Sequence, residues 1–137
     1  MSAGSTNGKI DHLGIAVKSI AEARKFYEAL GLSVEATETV EAERVRAAMV
    51  PLGDSRIELL EATDEASVIA KFISKRGEGL HHVAIAVPDI EAAVAEMKRK
   101  GVRLVQDRVQ RGAGGHLYVF VHPASAGGVL VELVQSA

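Results

Sequence analysis

One pattern occurs twice in this chain, and an internal repeat constrains the fold more than any other feature of it. IDHLGIAVKSI opens the first half and LHHVAIAVPDI opens the second. His12 and His82 stand 70 residues apart, and the same offset carries Ile15 onto Ile85, Ala16 onto Ala86, Val17 onto Val87, Ile20 onto Ile90 and Gly31 onto Gly101. Each half closes in an apolar run interrupted by one glutamate, Glu58 in RIELLEA and Glu132 in VLVELVQ. Two copies of one unit, each with an imidazole and a carboxylate, predict a divalent metal at the junction of the halves.

The residues between these landmarks assign elements. Residues 10–17, rich in Ile, Leu and Val, read as a strand. Ser19 then opens a helix, with Glu22 at capping-box distance, and the helix buries Ile20, Ala23, Phe26, Tyr27 and Leu30 before Gly31 stops it. Residues 32–38, 45–52 and 55–61 follow as strands, with a tight turn at Gly53-Asp54. Val68, Ile69, Phe72 and Ile73 recur at helical spacing in a bridge that Gly77 and Gly79 end. The second half repeats the plan: a strand at 80–87, a helix from Ile90 to Lys100 capped by Asp89, and strands near 102–106, 116–121 and 128–134. The glycine-rich GAGG of residues 112–115 reads as a loop whose backbone amides approach a ligand.

The expected fold is α+β, two tandem βαβββ modules forming an eight-stranded half-open barrel with helices outside. Residues 1–9 are read as a flexible tail and 10–137 as a single domain, with modules 10–63 and 80–135 and a helical bridge at 64–79. Strand alternation puts Leu13, Ile15 and Val17 toward the helix, and Ile10, His12, Gly14 and Ala16 on the other face. In the fifth strand His82, Ala84 and Ala86 face away from Val83, Ile85 and Val87. Glu58 and Glu132 likewise oppose their apolar neighbours, so all four candidate ligands are expected on one concave surface.

Composition narrows the chemistry. Of 137 residues 47% are hydrophobic, enough for a real core, which excludes a disordered chain. The net charge of −2 gives no general reason to bind nucleic acid. Cysteine is absent, so a metal must take nitrogen and oxygen ligands. No apolar run is long enough to cross a bilayer, and MSAGSTNGK has no apolar signal core, so a cytoplasmic location is expected.

A lone strand histidine, or a lone strand glutamate, is ordinarily just packed or solvated. The joint pattern outweighs that reading: two carboxylates within apolar strands are costly to bury without a cation. Two imidazoles with two carboxylates suit Zn, Co, Mn, Ni or Fe(II). His81 must point to the helix side and is read as packed, while His116 and His122 are read as surface residues.

With these residues in place, the chain resembles the vicinal-oxygen-chelate superfamily and, within it, the methylmalonyl-CoA epimerase family. IDHLGIAV, GDSRIELLEAT, IAKFISKRGEGLHHVAI, the GAGG loop and HPASAGGVLVEL are similar to that family's signatures, in order, over about residues 10–135. The resemblance implies that His12, Glu58, His82 and Glu132 are metal ligands. It implies interconversion of the 2R and 2S epimers of methylmalonyl-CoA, an acyl-CoA substrate, and a homodimer, which would also cover exposed edge strands.

Epimerisation by proton removal and return needs an acid/base group on each side of C2. Glu132 is the first candidate. Bacterial members resembling this chain often carry a glutamate in a third-strand stretch like GVREAM, where this chain has RVRAAM with Ala47. Glu43 shares the strand parity of Ala47 and is the candidate for the relocated second base. An HPKS-like turn of the family reads HPAS here, with Ala124 at the lysine position. A glyoxalase I-type lyase is the alternative enzyme, and a non-catalytic binding protein of the same fold is the alternative outside enzymes. Such binding relatives generally have aromatic pockets, against 4% aromatic residues here.

Overall fold

The computed structural model describes residues 8–112 and 115–136. Its elements follow in the order β1 (Lys9–Ala16), α1 (Ile20–Ala29), β2 (Glu38–Val40), β3 (Val45–Leu52), β4 (Ser55–Ala62), α2 (Val68–Arg76), β5 (Gly79–Ala86), α3 (Ile90–Arg99), β6 (Gln110–Arg111), β7 (Leu117–Val121) and β8 (Val131–Gln135). The strands are hydrogen-bonded in the order β2-β3-β4-β1-β5-β8-β7-β6. The βαβββ plan is present in both halves. Each half has one parallel pair, β1 with β4 and β5 with β8, and antiparallel hairpins outward from it. By contact density the chain divides into one unit of His12–His81 and another joining the residues up to Asp11 to those from His82 onward, so the division passes through β1 and β5. β1 begins at Lys9, inside the span expected to be a flexible tail, and residues 1–7 of that tail lie outside the described residues.

In the His12–His81 unit, Ser19 caps α1 by accepting from the Glu22 amide at 3.2 Å. The expected capping box stops there, because the Glu22 carboxylate accepts from Lys25 instead. The first helical amide, on Ile20, donates to Glu61 Oε1 at 2.7 Å, which removes one of the unsatisfied donors of a helix start. Ile20, with Ala23 and Tyr27, packs on Val17, Ala48, Val50 and Leu59. Phe26 and Leu30 do not join them; they are 63% and 62% exposed, because the apolar arc of α1 is wider than the strip of sheet it covers. Gly31, at φ +86°, ends the helix in the left-handed conformation. The strand expected over 32–38 is reduced to Glu38–Val40. Upstream of it Leu32 and Val34 pack under α1, and Glu35 donates a single bond to the Met49 carbonyl at 2.8 Å.

Adjacent residues of β4 serve opposite faces. Leu59 lies against the α1 side, while Leu60 joins Ala16, Val45 and Ile69 of α2. Phe72 and Ile73 complete that contact, whereas Val68, expected in the buried stripe, is exposed. α2 thus covers the far end of the face to which His12 and Glu58 belong.

In the other unit Asp89 caps α3 by accepting from the Ala92 amide at 3.0 Å, and Ile90 and Val94 pack on Val119, Val121 and Leu133. The Ile90 amide donates to Gln135 Oε1 at 2.7 Å, matching the Ile20–Glu61 bond of the first half. No strand forms over 102–106. One bridge, Leu104 to Val121, is all that pairs there, and β6 lies at Gln110–Arg111. The strand expected over 128–134 begins instead at Val131, because Gly127 and Gly128, both at positive φ, are still completing a turn. Ala113 and Gly114 of the GAGG loop lie outside the described residues.

Candidate functional site

The register of the parallel pairs explains how each half positions its polar residues. β1 sets Gly14 opposite Glu58 of β4, and β5 sets Ala84 opposite Glu132 of β8. In both halves, then, the carboxylate stands opposite a small residue two positions after the histidine, on the histidine's face. Absence of a bulky side chain at Gly14 and Ala84 lets histidine and glutamate lean together. His12 Nε2 lies 3.4 Å from Glu58 Oε1, and His82 Nε2 lies 3.3 Å from Glu132 Oε1. The pairs expected from sequence are therefore brought together within each unit.

These pairs suit a cation. His12, His82 and Glu132 are 6%, 5% and 7% exposed. A carboxylate this buried, flanked along β8 by Val131 and Leu133, is costly unless its charge is balanced. Donors each about 2.0–2.2 Å from one ion stand roughly 3–3.5 Å apart, and both nitrogen–oxygen separations fall in that range.

The proton-transfer candidates separate. Glu132 stays on the His82 face. Glu43 is not in β3: it ends a short 3-10 turn, Glu41–Glu43, and is exposed. Arg44 follows at φ +57° and only then does the strand begin. The strand-parity argument for Glu43 does not hold, since the chain turns before the residue is reached. Ala47 does keep the face of Glu58, paired with Leu60, and packs into the cluster that α2 closes with Ile69 and Phe72. A small apolar residue at position 47 suits that packing.

The other histidines find local roles. His81 meets the Phe72 ring edge-on at 5.0 Å. His122 Nδ1 accepts from the Ala124 amide at 3.0 Å, capping the 3-10 turn of Pro123–Ser125. His116 precedes β7 and lies 5.7 Å from the Tyr118 ring. Tyr118 in turn meets Phe120 at 6.0 Å, and the Phe120 ring stands perpendicular to the His82 ring, with centroids 5.7 Å apart and planes at 87°. Reading the sequence for ligands missed this aromatic row. Its signal was available in the alternation of LYVFV, which puts Tyr118 and Phe120 on the face of Glu132, the cross-strand partner of Phe120.

Comparison with known proteins identifies the family. Residues 11–120 match the family model described as the Glyoxalase/Bleomycin resistance protein/Dioxygenase superfamily. The mitochondrial methylmalonyl-CoA epimerase of Homo sapiens is 38% identical over 131 residues, covering 94% of this chain and 74% of that protein. The ethylmalonyl-CoA/methylmalonyl-CoA epimerase of Cereibacter sphaeroides is 35% identical, covering 93% of this chain and 98% of that one. A solved structure of a Streptomyces coelicolor methylmalonyl-CoA epimerase variant, in complex with 2-nitronate-propionyl-CoA, superposes with a TM-score of 0.86 at 41% identity and covers 94% of each chain.

Proposed function

Because this chain belongs to the Glyoxalase/Bleomycin resistance protein/Dioxygenase superfamily, and relatives covering most of it include methylmalonyl-CoA epimerases, we propose that it interconverts the 2R and 2S epimers of methylmalonyl-CoA. The observation that carries the reading is the repeated, register-equivalent pairing of a buried histidine with a carboxylate, His12 with Glu58 and His82 with Glu132. His12, Glu58, His82 and Glu132 together hold one divalent ion in this reading. When bound, the ion supplies Lewis-acid stabilisation for negative charge on the substrate's thioester oxygen.

The remaining work belongs to the chain. The C2–H of a 2-substituted malonyl thioester is acidic because the thioester takes up the charge left when the proton departs. Glu132 moves that proton, and its burial beside Phe120 and Val131 keeps bulk water from competing. Return of a proton to the opposite face falls to Glu43 or to a water molecule, a choice that the Glu43→Gln variant decides. The nitronate ligand of the Streptomyces relative supports this chemistry, since a nitronate at C2 is a planar anion resembling the deprotonated substrate. A homodimer and a cytoplasmic location complete the reading. Among the described residues no helix is long and apolar enough to cross a membrane.

The test is proton NMR of one epimer of methylmalonyl-CoA incubated with the metal-loaded protein in deuterated water. The C2 proton signal should wash out as the second epimer forms. An unchanged signal at high protein concentration would overturn the assignment.

A further inference from the structure

β7 is held on one side by β8 and on the other by chain that is scarcely a strand. β6 supplies only Gln110 and Arg111, opposite Tyr118 and Leu117. Beyond them the segment at 103–106 returns to β7 at the Leu104–Val121 bridge. Val105 donates to the Phe120 carbonyl at 2.7 Å, and His122 donates to the Arg103 carbonyl at 2.9 Å. A continuing antiparallel ladder would return the Phe120 amide to the carbonyl of residue 105. That amide instead donates to Gln106 Oε1, at 3.0 Å. A side chain has taken the place of a backbone acceptor, and it grips a residue whose ring packs perpendicular to that of His82.

We infer that Phe120 and Gln106 are positioning residues for the His82 imidazole: the Gln106 amide fixes the Phe120 backbone, and the Phe120 ring fixes the plane of His82. Three observations converge on Phe120. Its carbonyl and its amide are both held by the 105–106 segment, its Cα is paired with that of Glu132, and its ring is perpendicular to His82. Tyr118 meets the same Phe120 ring, with centroids 6.0 Å apart. Groups that orient a metal-binding histidine affect metal affinity by about 10–100-fold.

The role in metal binding rests on the metal site proposed above, whereas the restraint on His82 does not, so the test reads both. On the full chain, cobalt(II) binding would be measured by titration with its visible spectrum. His82 would be followed in the metal-free protein by the carbon resonances of its ring. Phe120→Leu keeps apolar volume but removes the aromatic ring, and Gln106→Leu removes the side-chain acceptor. Each should weaken cobalt binding roughly ten-fold or more and shift or broaden the His82 resonances. Phe120→Tyr and Gln106→Glu should restore both readouts, which a general loss of packing would not allow. Should the unaltered protein fail to bind cobalt while Phe120→Leu and Gln106→Leu still mobilise His82, the metal site falls and the positioning role stands. Should cobalt bind normally to both leucine variants with His82 unmoved, the inference is overturned. Gln106→Leu, at a part-buried site, keeps the experiment decisive if Phe120→Leu does not fold.

Discussion

At the scale of single residues, the site depends on what each donor can do. An imidazole is among the strongest metal ligands in a chain without cysteine. His12→Ala and His82→Ala should therefore each lose most bound divalent metal, checked by elemental analysis after dialysis; full occupancy in both would remove the site. Glu132→Gln should retain measurable metal, because an amide oxygen still ligates, but should lower C2 exchange by about 10²–10⁴-fold, the usual worth of one proton-transfer group. Near-normal exchange in that variant would leave Glu132 as a ligand only. A comparable loss in Glu43→Gln would assign Glu43 the second proton, while little change would assign it to water. The exposed position of Glu43 in the turn before β3 makes this variant independent of the core.

At the scale of elements, stability resides where helix and sheet exclude water. Leu59 is fully buried between α1 and the β3–β4 hairpin. Leu59→Ala should cost about 2–5 kcal/mol in urea unfolding, against little for a truncation of exposed Leu30. The ion pair joining the residue before β3 to the turn after β4 adds an acid-sensitive latch. The Ala66 amide, and then the Arg44 guanidinium at 2.8 Å, hold the Asp64 carboxyl below its ordinary value of 3.8. A pKa lowered by folding stabilises above the unfolded value, and that contribution is lost as pH falls through the folded one. Asp64→Asn should thus narrow the gap in stability between neutral pH and strongly acid solution, with no change in the profile's shape above about pH 5, as seen by thermal unfolding across pH. A difference that instead grows toward alkaline pH would contradict the latch.

At the scale of the whole molecule, neither compact unit owns β1 or β5 outright, because the division falls after Asp11 and again after His81. Residues 10–137 are accordingly expected to unfold as one cooperative domain, with far-ultraviolet circular dichroism and tyrosine fluorescence giving coincident urea transitions. Two separated transitions would mean that the halves are independent. Legible in the sequence were the repeat, its βαβββ plan, the helix starts at Ser19 and Asp89, and the shared strand faces of His12 with Glu58 and of His82 with Glu132. Those features depend on local geometry: side chains alternate along a strand, caps act within a turn, and a repeat carries both to matching places. The other features depend on partners distant in the chain. The exposure of Phe26 and Leu30 follows from how much sheet α1 reaches, and at 102–106, where no strand forms, the Gln106 side chain rather than the backbone accepts from the Phe120 amide. Glu43 left the strand face because the chain turns at Arg44, and Ala47 is apolar ground beneath α2. Periodicity within a strand records which face a residue takes, but not which element arrives to cover that face.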